Sequence, residues 1–406
     1  MNLKLNHISN IKTTTLQITG SKSETNRLLI LQALYPEIEI KNISNSDDSQ
    51  LMQAALKSED EVVDIHHAGT AMRFLTGYFA VKNGRNTILT GSKRMQERPI
   101  KILVEALRQL GCEITYEKEE GYPPIKIVGK EPVTNKVSLA ANVSSQYISA
   151  LMLMASSLPN GLEIVLEGKV TSVPYIKMTL SLLKDTGIQG DFENNIISIK
   201  PVDEVSSKEI VVESDWSSAS YFYSIIALSD NRSVTLGSYK QNSYQGDSAL
   251  ANIYRKLGVE TTFDTNKITL TKTEVPSSNE VLTLDLSNSP DIAQTIAVTC
   301  FGLGKACYLT GLHTLKIKET DRLEALKIEI EKLGGEVVIT DDSLKLAAAT
   351  SIRSEVSIDT YHDHRMAMAF APLALRTKLF INDADVVSKS YPDFWNDLKK
   401  LDFEVL

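Results

Sequence analysis

The stretch NGRNTILTG at residues 83–91 has a close counterpart, NGLEIVLEG, at residues 160–168. In both, β-branched and apolar side chains between an Asn-Gly pair and a final glycine predict a short strand. A loop with a proline follows, and then a helical pattern that stops at Gly111 or Gly187. Related stretches lie at residues 233–237 and 306–311, with weaker ones at 38–42 and 379–383. Six copies in one chain predict an internally repeated fold.

The repeated segment belongs to the α/β class. Its second helix is amphipathic, as residues 102–110 show, and alternating runs such as residues 267–271 and 336–340 predict strands after it. The unit therefore reads βαβαββ. The chain has 406 residues, more than one hydrophobic core usually serves, so the six units are expected to form two domains of three.

Composition narrows the class of protein. Lys plus Arg number 43 and Asp plus Glu number 51, a formal charge of −8, which disfavours nucleic acid and anionic membranes as partners. The three cysteines lie in apolar stretches, as reduced thiols of a reducing compartment do. No apolar signal core opens the sequence, and no apolar run is long enough to span a bilayer. A cytoplasmic protein is expected.

The first helix of each unit is apolar nearly all round, which predicts a buried helix. Its start is polar each time, and Ser, Thr and Asp are explained there as N-caps. Capping does not explain the cations Lys22, Arg27, Arg73 and Arg365, which oppose the helix dipole unless an anion lies between. Several helix N-termini are therefore expected to hold anions in a shared cleft.

Further cations lie in the loops between a strand and the second helix of its unit. They are Lys93, Arg94 and Arg98 in one loop, Lys316, Lys318 and Arg322 in another, and Lys389 in a third. Any one of these loops would be a solvated charged surface. Their equivalent places in successive repeats favour convergence on the same anions.

Ten segments, taken in order, resemble the enolpyruvyl transferases, and most closely the 5-enolpyruvylshikimate-3-phosphate synthases. They are GSKSETNR from Gly20, AGTAMR from Ala68, LTGSKRMQERP from Leu89, SSQYISAL from Ser144, TSVPYI from Thr171, SSASYF from Ser217, QGD from Gln245, KETDR from Lys318, DHRMAM from Asp363 and KSYPDF from Lys389. KETDR and DHRMAM are the specific ones, whereas AGT or QGD alone would mean little.

The resemblance implies an α/β protein of two domains, each with three βαβαββ units around buried parallel helices, an inside-out α/β barrel. Residues 1–19 plus 213–406 would form one domain and residues 20–212 the other, with the active site in the cleft between them and closure on binding. It also implies a monomer that uses no metal and no cofactor, and whose substrates are phosphoenolpyruvate and shikimate 3-phosphate.

The resemblance also assigns residues to each substrate. Shikimate 3-phosphate would be bound by Lys22, Ser23, Arg27, Ser144, Ser145, Gln146, Ser172, Asp291 and Lys318. Phosphoenolpyruvate would be bound by Lys22, Gly69, Arg94, Gln146, Arg322, Arg365 and Lys389. Three positions depart from the usual family pattern: His67 in place of Asn, Phe74 in place of Pro, and Thr314 in place of Asn. The first two bear on phosphoenolpyruvate affinity and glyphosate sensitivity, the third on a contact to the shikimate hydroxyls.

The implied reaction needs one proton removed from a shikimate hydroxyl and another delivered to the methylene carbon of phosphoenolpyruvate. Asp291 is the expected base. Glu319, Lys22 and Lys389 remain alternatives for the methylene proton.

Other interpretations fit less well. Residues 20–23 have the order Gly-Ser-Lys-Ser, which is not a Walker loop, and the His66–His67 and His362/His364 pairs lack a metal-ligand framework. A transferase acting on UDP-N-acetylglucosamine would typically carry a cysteine in the loop at 93–98, which has none. A non-catalytic anion-binding protein would have no need of Asp291 and Glu319 beside its cations.

Overall fold

The computed structural model describes residues 1–141, 144–168, 170, 173–230, 232–274 and 280–406. The chain divides into two compact units. Unit 1 comprises Met1–Thr19 and Glu213–Leu406, and unit 2 comprises Gly20–Val212. Unit 2 is therefore an insertion between the N-terminal segment of unit 1 and the rest of that unit.

The N-terminal segment of unit 1 contains β1 (Leu3–Leu5) and β2 (Thr14–Gln17). Unit 2 contains α1 (Lys22–Leu34), β3 (Ile38–Lys41), α2 (Asp47–Lys57), β4 (Val62–Asp64), α3 (Gly69–Val81), β5 (Asn86–Thr90), α4 (Lys93–Gln96), α5 (Lys101–Gln109), β6 (Glu113–Tyr116), β7 (Ile125–Val128), β8 (Lys136–Ala140), α6 (Ser145–Ala155), β9 (Leu162–Glu167), α7 (Val173–Asp185), β10 (Gly190–Glu193), β11 (Ile196–Ile199) and β12 (Lys208–Val211).

The remainder of unit 1 contains α8 (Trp216–Leu228), β13 (Ser233–Gly237), α9 (Leu250–Arg255), β14 (Val259–Asp264), β15 (Lys267–Lys272), β16 (Leu282–Asp285), α10 (Ala293–Gly302), β17 (Cys307–Thr310), α11 (Arg322–Lys332), β18 (Val337–Ile339), β19 (Leu344–Leu346), β20 (Val356–Ile358), α12 (His364–Phe370), β21 (Leu379–Ile381) and α13 (Phe394–Lys400). Short 3₁₀ turns lie at Gly246–Ala249, Pro290–Ile292, His313–Ile317, Ala371–Leu375 and Ala384–Lys389.

Four sheets share one topology. Their strand orders are β4-β5-β7-β6, β8-β9-β11-β10, β2-β13-β15-β14 and β16-β17-β19-β18. In each, the first two strands run parallel and the last two form an antiparallel hairpin that returns to the second strand. A helix lies in each connection between the parallel strands, as a crossover requires. Between β2 and β13 the chain also contains the whole of unit 2. The repeat predicted from the sequence is thus present in its complete form four times.

The two weaker repeats are shorter. In unit 2, β3 pairs in parallel with β12, and the sheet has two strands. Only four residues separate Lys57, the end of α2, from Val62, the start of β4, so no hairpin fits between them. In unit 1, β21 pairs in parallel with β20 and antiparallel with the N-terminal strand β1.

The core of each unit contains helices that are buried on nearly every side. All ten residues of α10 are buried, as are all residues of α8 except Ser217 and all of α3 except Val81. The buried hydroxyls on these helices are paired: Ser220 with Thr295 at 3.0 Å, and Thr299 with Ser224 at 2.7 Å. The apolar composition of the first helix of each βαβαββ repeat predicts that this helix is buried. The burial of α3, α8 and α10, which are first helices of their repeats, confirms the prediction.

All three cysteines are buried thiols. Of the helices in the described ranges, none is both long and apolar enough to cross a membrane.

Candidate functional site

In unit 1, three aspartates begin the helices that carry the candidate site residues. Asp215 accepts from Ser218 N at 2.7 Å at the start of α8, Asp321 from Leu323 N at 3.1 Å at the start of α11, and Asp363 from Arg365 N at 2.8 Å at the start of α12. These bonds satisfy amides that have no partner within the helix. They also place Arg322 and Arg365 in the first turn of their helices.

Arg322 is the centre of a group of charged residues in unit 1, which we call the carboxylate–arginine cluster: Asp291, Glu319, Arg322, Asp363 and Arg365. Its Nε donates to Oδ2 of Asp363 at 2.6 Å. Its Nη1 donates to Oδ1 of Asp291 at 2.8 Å, and its Nη2 to Oε2 of Glu319 at 2.8 Å. Burial opposes the charge of Arg322, but the three carboxylates outweigh it and raise the pKa of the guanidinium. One planar fork therefore orients both carboxylates that were expected to act as acid or base.

Asp291 lies between cations. Arg365 Nη2 is 3.2 Å from its Oδ2, and Lys318 Nζ is 3.8 Å from its Oδ1. The side chain of Asp291 is 16% exposed, enough for a substrate hydroxyl to approach. Burial works against the charge of Arg365 as well, but Asp291 and the neighbouring acids raise its pKa well above the usual value. Three cationic groups, Arg322, Arg365 and Lys318, therefore surround the Asp291 carboxylate.

Lys389 lies against the loop that precedes α12. Its Nζ donates to the carbonyl oxygen of His362 at 2.7 Å. Tyr361 and His362 both adopt left-handed backbone, with φ of 53° and 56°, which is strained for residues with a Cβ. Lys389 thus helps to hold a strained turn immediately before Asp363.

In unit 2, Lys22 and Ser23 open α1, where Ser21 is the N-cap residue but its side chain accepts no capping bond. The hydroxyl of Ser21 is buried and has no hydrogen-bond partner among the described residues. The amides of this first turn are therefore not satisfied by a capping side chain, as a helix start that binds anions requires.

Arg27 is enclosed within unit 2. Its Nε donates to Oγ1 of Thr179 at 2.8 Å and its Nη2 to Oγ of Ser149 at 2.9 Å. The guanidinium lies 5.3 Å from the ring centroid of Phe74 and 5.9 Å from that of Tyr175. Burial lowers the pKa of Arg27 to about 10. Only 2% of Arg27 is exposed. Its guanidinium is therefore held in place by these hydrogen bonds and aromatic contacts within unit 2.

The start of α6 is joined to the start of α3. Ser144 caps α6 by accepting from Gln146 N at 3.4 Å, and Ser145 is the first helical residue. Gln146 Nε2 donates to Oγ1 of Thr70 at 3.3 Å. Two of the predicted anion-binding helix starts therefore lie side by side. Ser172, a predicted shikimate-phosphate ligand, lies outside the described residues.

Gly69, the first residue of α3, lies beneath a guanidinium. A Cβ at this position would be 2.6 Å from Nη1 of Arg98. Arg73, which is buried, donates to the carbonyl oxygens of Gly69 at 3.2 Å and Pro99 at 3.1 Å. Burial and the charge of Arg98 lower the pKa of Arg73 to about 10. Arg94, in contrast, is exposed and paired with Glu97 at 3.2 Å.

The three departures from the family pattern also have places in the structure. Nε2 of His67 lies 3.6 Å from Oδ2 of Asp47. Phe74 is buried and packs on the guanidinium of Arg27. The hydroxyl of Thr314 is buried and has no hydrogen-bond partner in the described ranges.

Two residues of the carboxylate–arginine cluster's surroundings were not predicted as site residues. Ser217 Oγ accepts from Arg365 Nη2 at 3.3 Å and donates to Oδ2 of Asp247. Ser217 lies in SSASYF and Asp247 in QGD, two of the segments that carry the family resemblance. No local signal marks either residue for this role, because Asp247 reaches Arg365 through Ser217 and both contacts are tertiary.

The model of the EPSP synthase family (3-phosphoshikimate 1-carboxyvinyltransferase) matches residues 55–398. This chain belongs to the EPSP synthase family. Its similarity extends to a 3-phosphoshikimate 1-carboxyvinyltransferase of Bacteroides fragilis (strain YCH46), 45% identical over 395 residues and 96% of each chain. A Haemophilus influenzae protein of the same name is 34% identical over 422 residues, covering 95% of this chain and 96% of its own.

Solved structures agree with this EPSP synthase fold. An EPSP synthase from Acinetobacter baumannii superimposes with a TM-score of 0.82 at 20% identity, over 100% of this chain and 99% of that one. The enolpyruvyl transferase NikO from Streptomyces tendae gives 0.75 at 13% identity, over 100% and 98%. The second match shows that this chain also has the same fold as another enolpyruvyl transferase, and it shows the fold alone. The fold class expected from the sequence is confirmed.

Proposed function

We propose that this chain transfers the enolpyruvyl group of phosphoenolpyruvate to the 5-hydroxyl of shikimate 3-phosphate and releases phosphate. Membership of the EPSP synthase family supports the reaction. The observation that carries the chemistry is Asp291, a partly exposed carboxylate held between Arg322 at 2.8 Å and Arg365 at 3.2 Å. It combines a proton acceptor with the cations that two anionic substrates need.

The reaction has two stages. In the first, Asp291 takes the proton of the 5-hydroxyl, and the oxygen of that hydroxyl forms a bond to the central carbon of phosphoenolpyruvate. The electron pair of the carbon–carbon double bond takes a proton at the methylene carbon, and a tetrahedral intermediate results. In the second, the bond to the phosphate oxygen breaks, the new methyl group loses a proton, and phosphate leaves with the bonding pair. The same groups serve as acid and then as base.

Three groups are proposed for the methylene proton: Glu319, Lys22 and Lys389. Glu319 accepts from the same guanidinium as Asp291, Nη2 of Arg322 at 2.8 Å. Its side chain is 31% exposed against 16% for Asp291. Among the described groups of unit 1 this position favours Glu319, because Lys389 is engaged with the His362 carbonyl.

The cations counter the charge of the reactants. Each substrate carries a phosphate and a carboxylate, and their approach is unfavourable in water. Arg94, Arg322 and Arg365 are proposed to bind phosphoenolpyruvate by their planar forks, with Lys22 and Lys389 as point charges and Gly69 and Gln146 as helix-start donors. Because Arg322 and Arg365 already bond to carboxylates that are fixed in place, little reorganisation is required when the substrate arrives.

Shikimate 3-phosphate is proposed to bind through helix starts. Its ligands are proposed to be Lys22, Ser23 and Arg27 of α1, Ser144, Ser145 and Gln146 of α6, with Ser172, Asp291 and Lys318. The uncapped start of α1 and the adjoining starts of α3 and α6 support this for the phosphate. These proposed ligands come from both units. That the two units bind the substrates together, and close on binding, stays a prediction. We further propose that the protein is a monomer and is cytoplasmic. Glyphosate is proposed to compete with phosphoenolpyruvate for its site.

The test is phosphate release by the purified chain. Release is expected only with both shikimate 3-phosphate and phosphoenolpyruvate present, and unchanged by EDTA. UDP-N-acetylglucosamine in place of shikimate 3-phosphate is expected to give none. Arg365→Ala is expected to abolish turnover while the circular dichroism spectrum remains that of the wild type. Release with the UDP sugar, or wild-type rates in the variant, would overturn the assignment.

A further inference from the structure

The loop of residues 245–247, which reads Gln-Gly-Asp, docks onto the start of α8. Gln245 Oε1 accepts from Trp216 N at 2.9 Å, and its Nε2 donates to the carbonyl oxygen of Ser214 at 3.0 Å. Gln245 is itself buried. These two bonds determine where the following 3₁₀ turn begins, and therefore where Asp247 lies.

Asp247 is the far end of a chain of contacts that reaches Asp291. Its Oδ2 accepts from the Ser217 hydroxyl. Ser217 Oγ in turn accepts from Nη2 of Arg365 at 3.3 Å, and the same Nη2 lies 3.2 Å from Oδ2 of Asp291. Nη2 of Arg365 thus contacts both Asp291 and Ser217, and Ser217 is bonded in turn to Asp247.

We propose that Ser217 and Asp247 are positioning residues, which hold the Arg365 guanidinium in place while Asp291 gains and loses its proton. The inference rests on the proposed function, in which Arg365 binds phosphoenolpyruvate and Asp291 is the base. When Asp291 takes the hydroxyl proton its charge is lost, and its attraction for Arg365 weakens. The anchor through Ser217 does not take part in the reaction, so it keeps the guanidinium aimed at the substrate through that step.

The charge of Asp247 decides how strong this anchor is. Burial is the main cause, with the neighbouring Asp291, that raises the pKa of Asp247 to about 7, while Arg365 and the Ser217 hydroxyl act in the opposite direction. The groups that face it come from separate elements: Asp291 from the turn at Pro290–Ile292, Arg365 from α12, and Asp215 and Ser217 from α8. Arg365 in turn faces Tyr221 and Asp215. Ionised Asp247 strengthens the anchor and neutral Asp247 weakens it.

A purely structural role for Asp247 would be to stabilise the start of α8, where a negative charge interacts favourably with the positive end of the helix dipole. That role would change the unfolding temperature, but it would leave the affinity for one substrate and the pH profile as they are. The KM for phosphoenolpyruvate and its pH dependence therefore distinguish the positioning role from the structural role.

The experiment compares Asp247→Asn, Ser217→Ala and the double variant with the wild type, using phosphate release at several pH values. Asp264→Asn, an exposed carboxylate on β14, is the matched control and should behave as wild type. Each test variant should raise the KM for phosphoenolpyruvate by about tenfold, the value of one hydrogen bond to a charged group. The KM for shikimate 3-phosphate should stay unchanged, and the double variant should lose no more than the single ones.

The pH profile gives the second outcome. In the wild type, the KM for phosphoenolpyruvate should rise as the pH falls from 8 to 6, because Asp247 becomes neutral over that range. Asp247→Asn should remove this dependence. Wild-type KM values and a wild-type profile in Asp247→Asn would overturn the inference and leave the proposed function standing.

Failure of the proposed function has a different signature, since the wild type itself would then release no phosphate. The effect of Ser217 and Asp247 on Arg365 can still be measured by nitrogen-15 NMR of the Arg365 guanidinium. Its signal is identified as the one that is lost in Arg365→Lys. Slowed rotation of this group in the wild type, and faster rotation in Asp247→Asn and Ser217→Ala, would support the inference. Equal rotation in all three would overturn it.

Discussion

Arg322 donates from Nε to Oδ2 of Asp363 at 2.6 Å, and the two side chains are 2% and 0% exposed. Asp363 also caps α12, so this pair joins the start of α11 to the start of α12. Burial raises the pKa of Asp363 even though Arg322 opposes the shift. A buried carboxylate in this position depends on its guanidinium partner.

Arg322→Ala is therefore expected to destabilise unit 1 as well as to abolish turnover. Removing one partner of a buried pair leaves a charge without compensation, which costs roughly 3–5 kcal/mol. Urea unfolding of the variant should show that loss. Arg94→Ala, at an exposed pair with Glu97, is the control and should unfold as the wild type does. An Arg322→Ala variant of wild-type stability would contradict the part assigned to this pair.

The second prediction concerns Asp291→Asn. Asparagine keeps an oxygen that can accept from Arg322, so the fold should be retained, but it cannot take the hydroxyl proton. The kcat is expected to fall by about 10²–10⁴, the usual contribution of a positioned base. Steady-state kinetics would measure this, with exposed Asp191→Asn as a control of normal activity. A kcat within a factor of about three of the wild type would exclude Asp291 as the base.

The repeat could be predicted from sequence because its signals are local. Glycines that follow the amphipathic helices, such as Gly111 at φ 91° and Gly334 at φ 98°, take the left-handed conformation expected of a helix stop. The strand and helix patterns lie within each unit as well. The pairing of β3 with β12 was not visible in this way, because residues 38 and 208 are far apart in the sequence.

The site was predicted in part for the same reason. Cations at helix starts stand out in a sequence, and Arg322 and Arg365 do lie together around Asp291. Asp363 and Asp247 look like ordinary caps or loop acids, and only the tertiary fold brings them to the arginines. The enclosure of Arg27 by Thr179 and Ser149 is likewise a result of packing between distant helices.

The third prediction uses the pKa of Asp247, which burial raises from 3.8 to about 7. Because the folded chain holds this proton more tightly than the unfolded chain, stability should fall as the pH rises from about 4 to about 7. Asp247→Asn removes the titration. The unfolding temperature of the variant minus that of the wild type should therefore be more positive at pH 8 than at pH 5, as measured by thermal scans. The same difference at both values would show that Asp247 is not buried in a neutral form.

The last prediction concerns Lys22, the first residue of α1. A cation at that position opposes the helix dipole, so Lys22→Met should leave the stability equal to that of the wild type or raise it slightly. Turnover should be lost, because in the proposed site this ammonium binds both substrates. The uncapped helix start beside it is proposed to bind the phosphate of shikimate 3-phosphate.

Lys101→Met provides a matched control, since Lys101 is likewise the first residue of its helix, α5, and its ammonium forms a surface pair with Glu105 at 3.6 Å. That variant should keep full activity, because an exposed ion pair contributes little. Thermal unfolding and phosphate release on both variants separate the two roles of a helix-start lysine. Activity in Lys22→Met comparable to that in Lys101→Met would mean that the cation at the start of α1 does not face the reactants, and the assignment of that helix start to anion binding would be wrong.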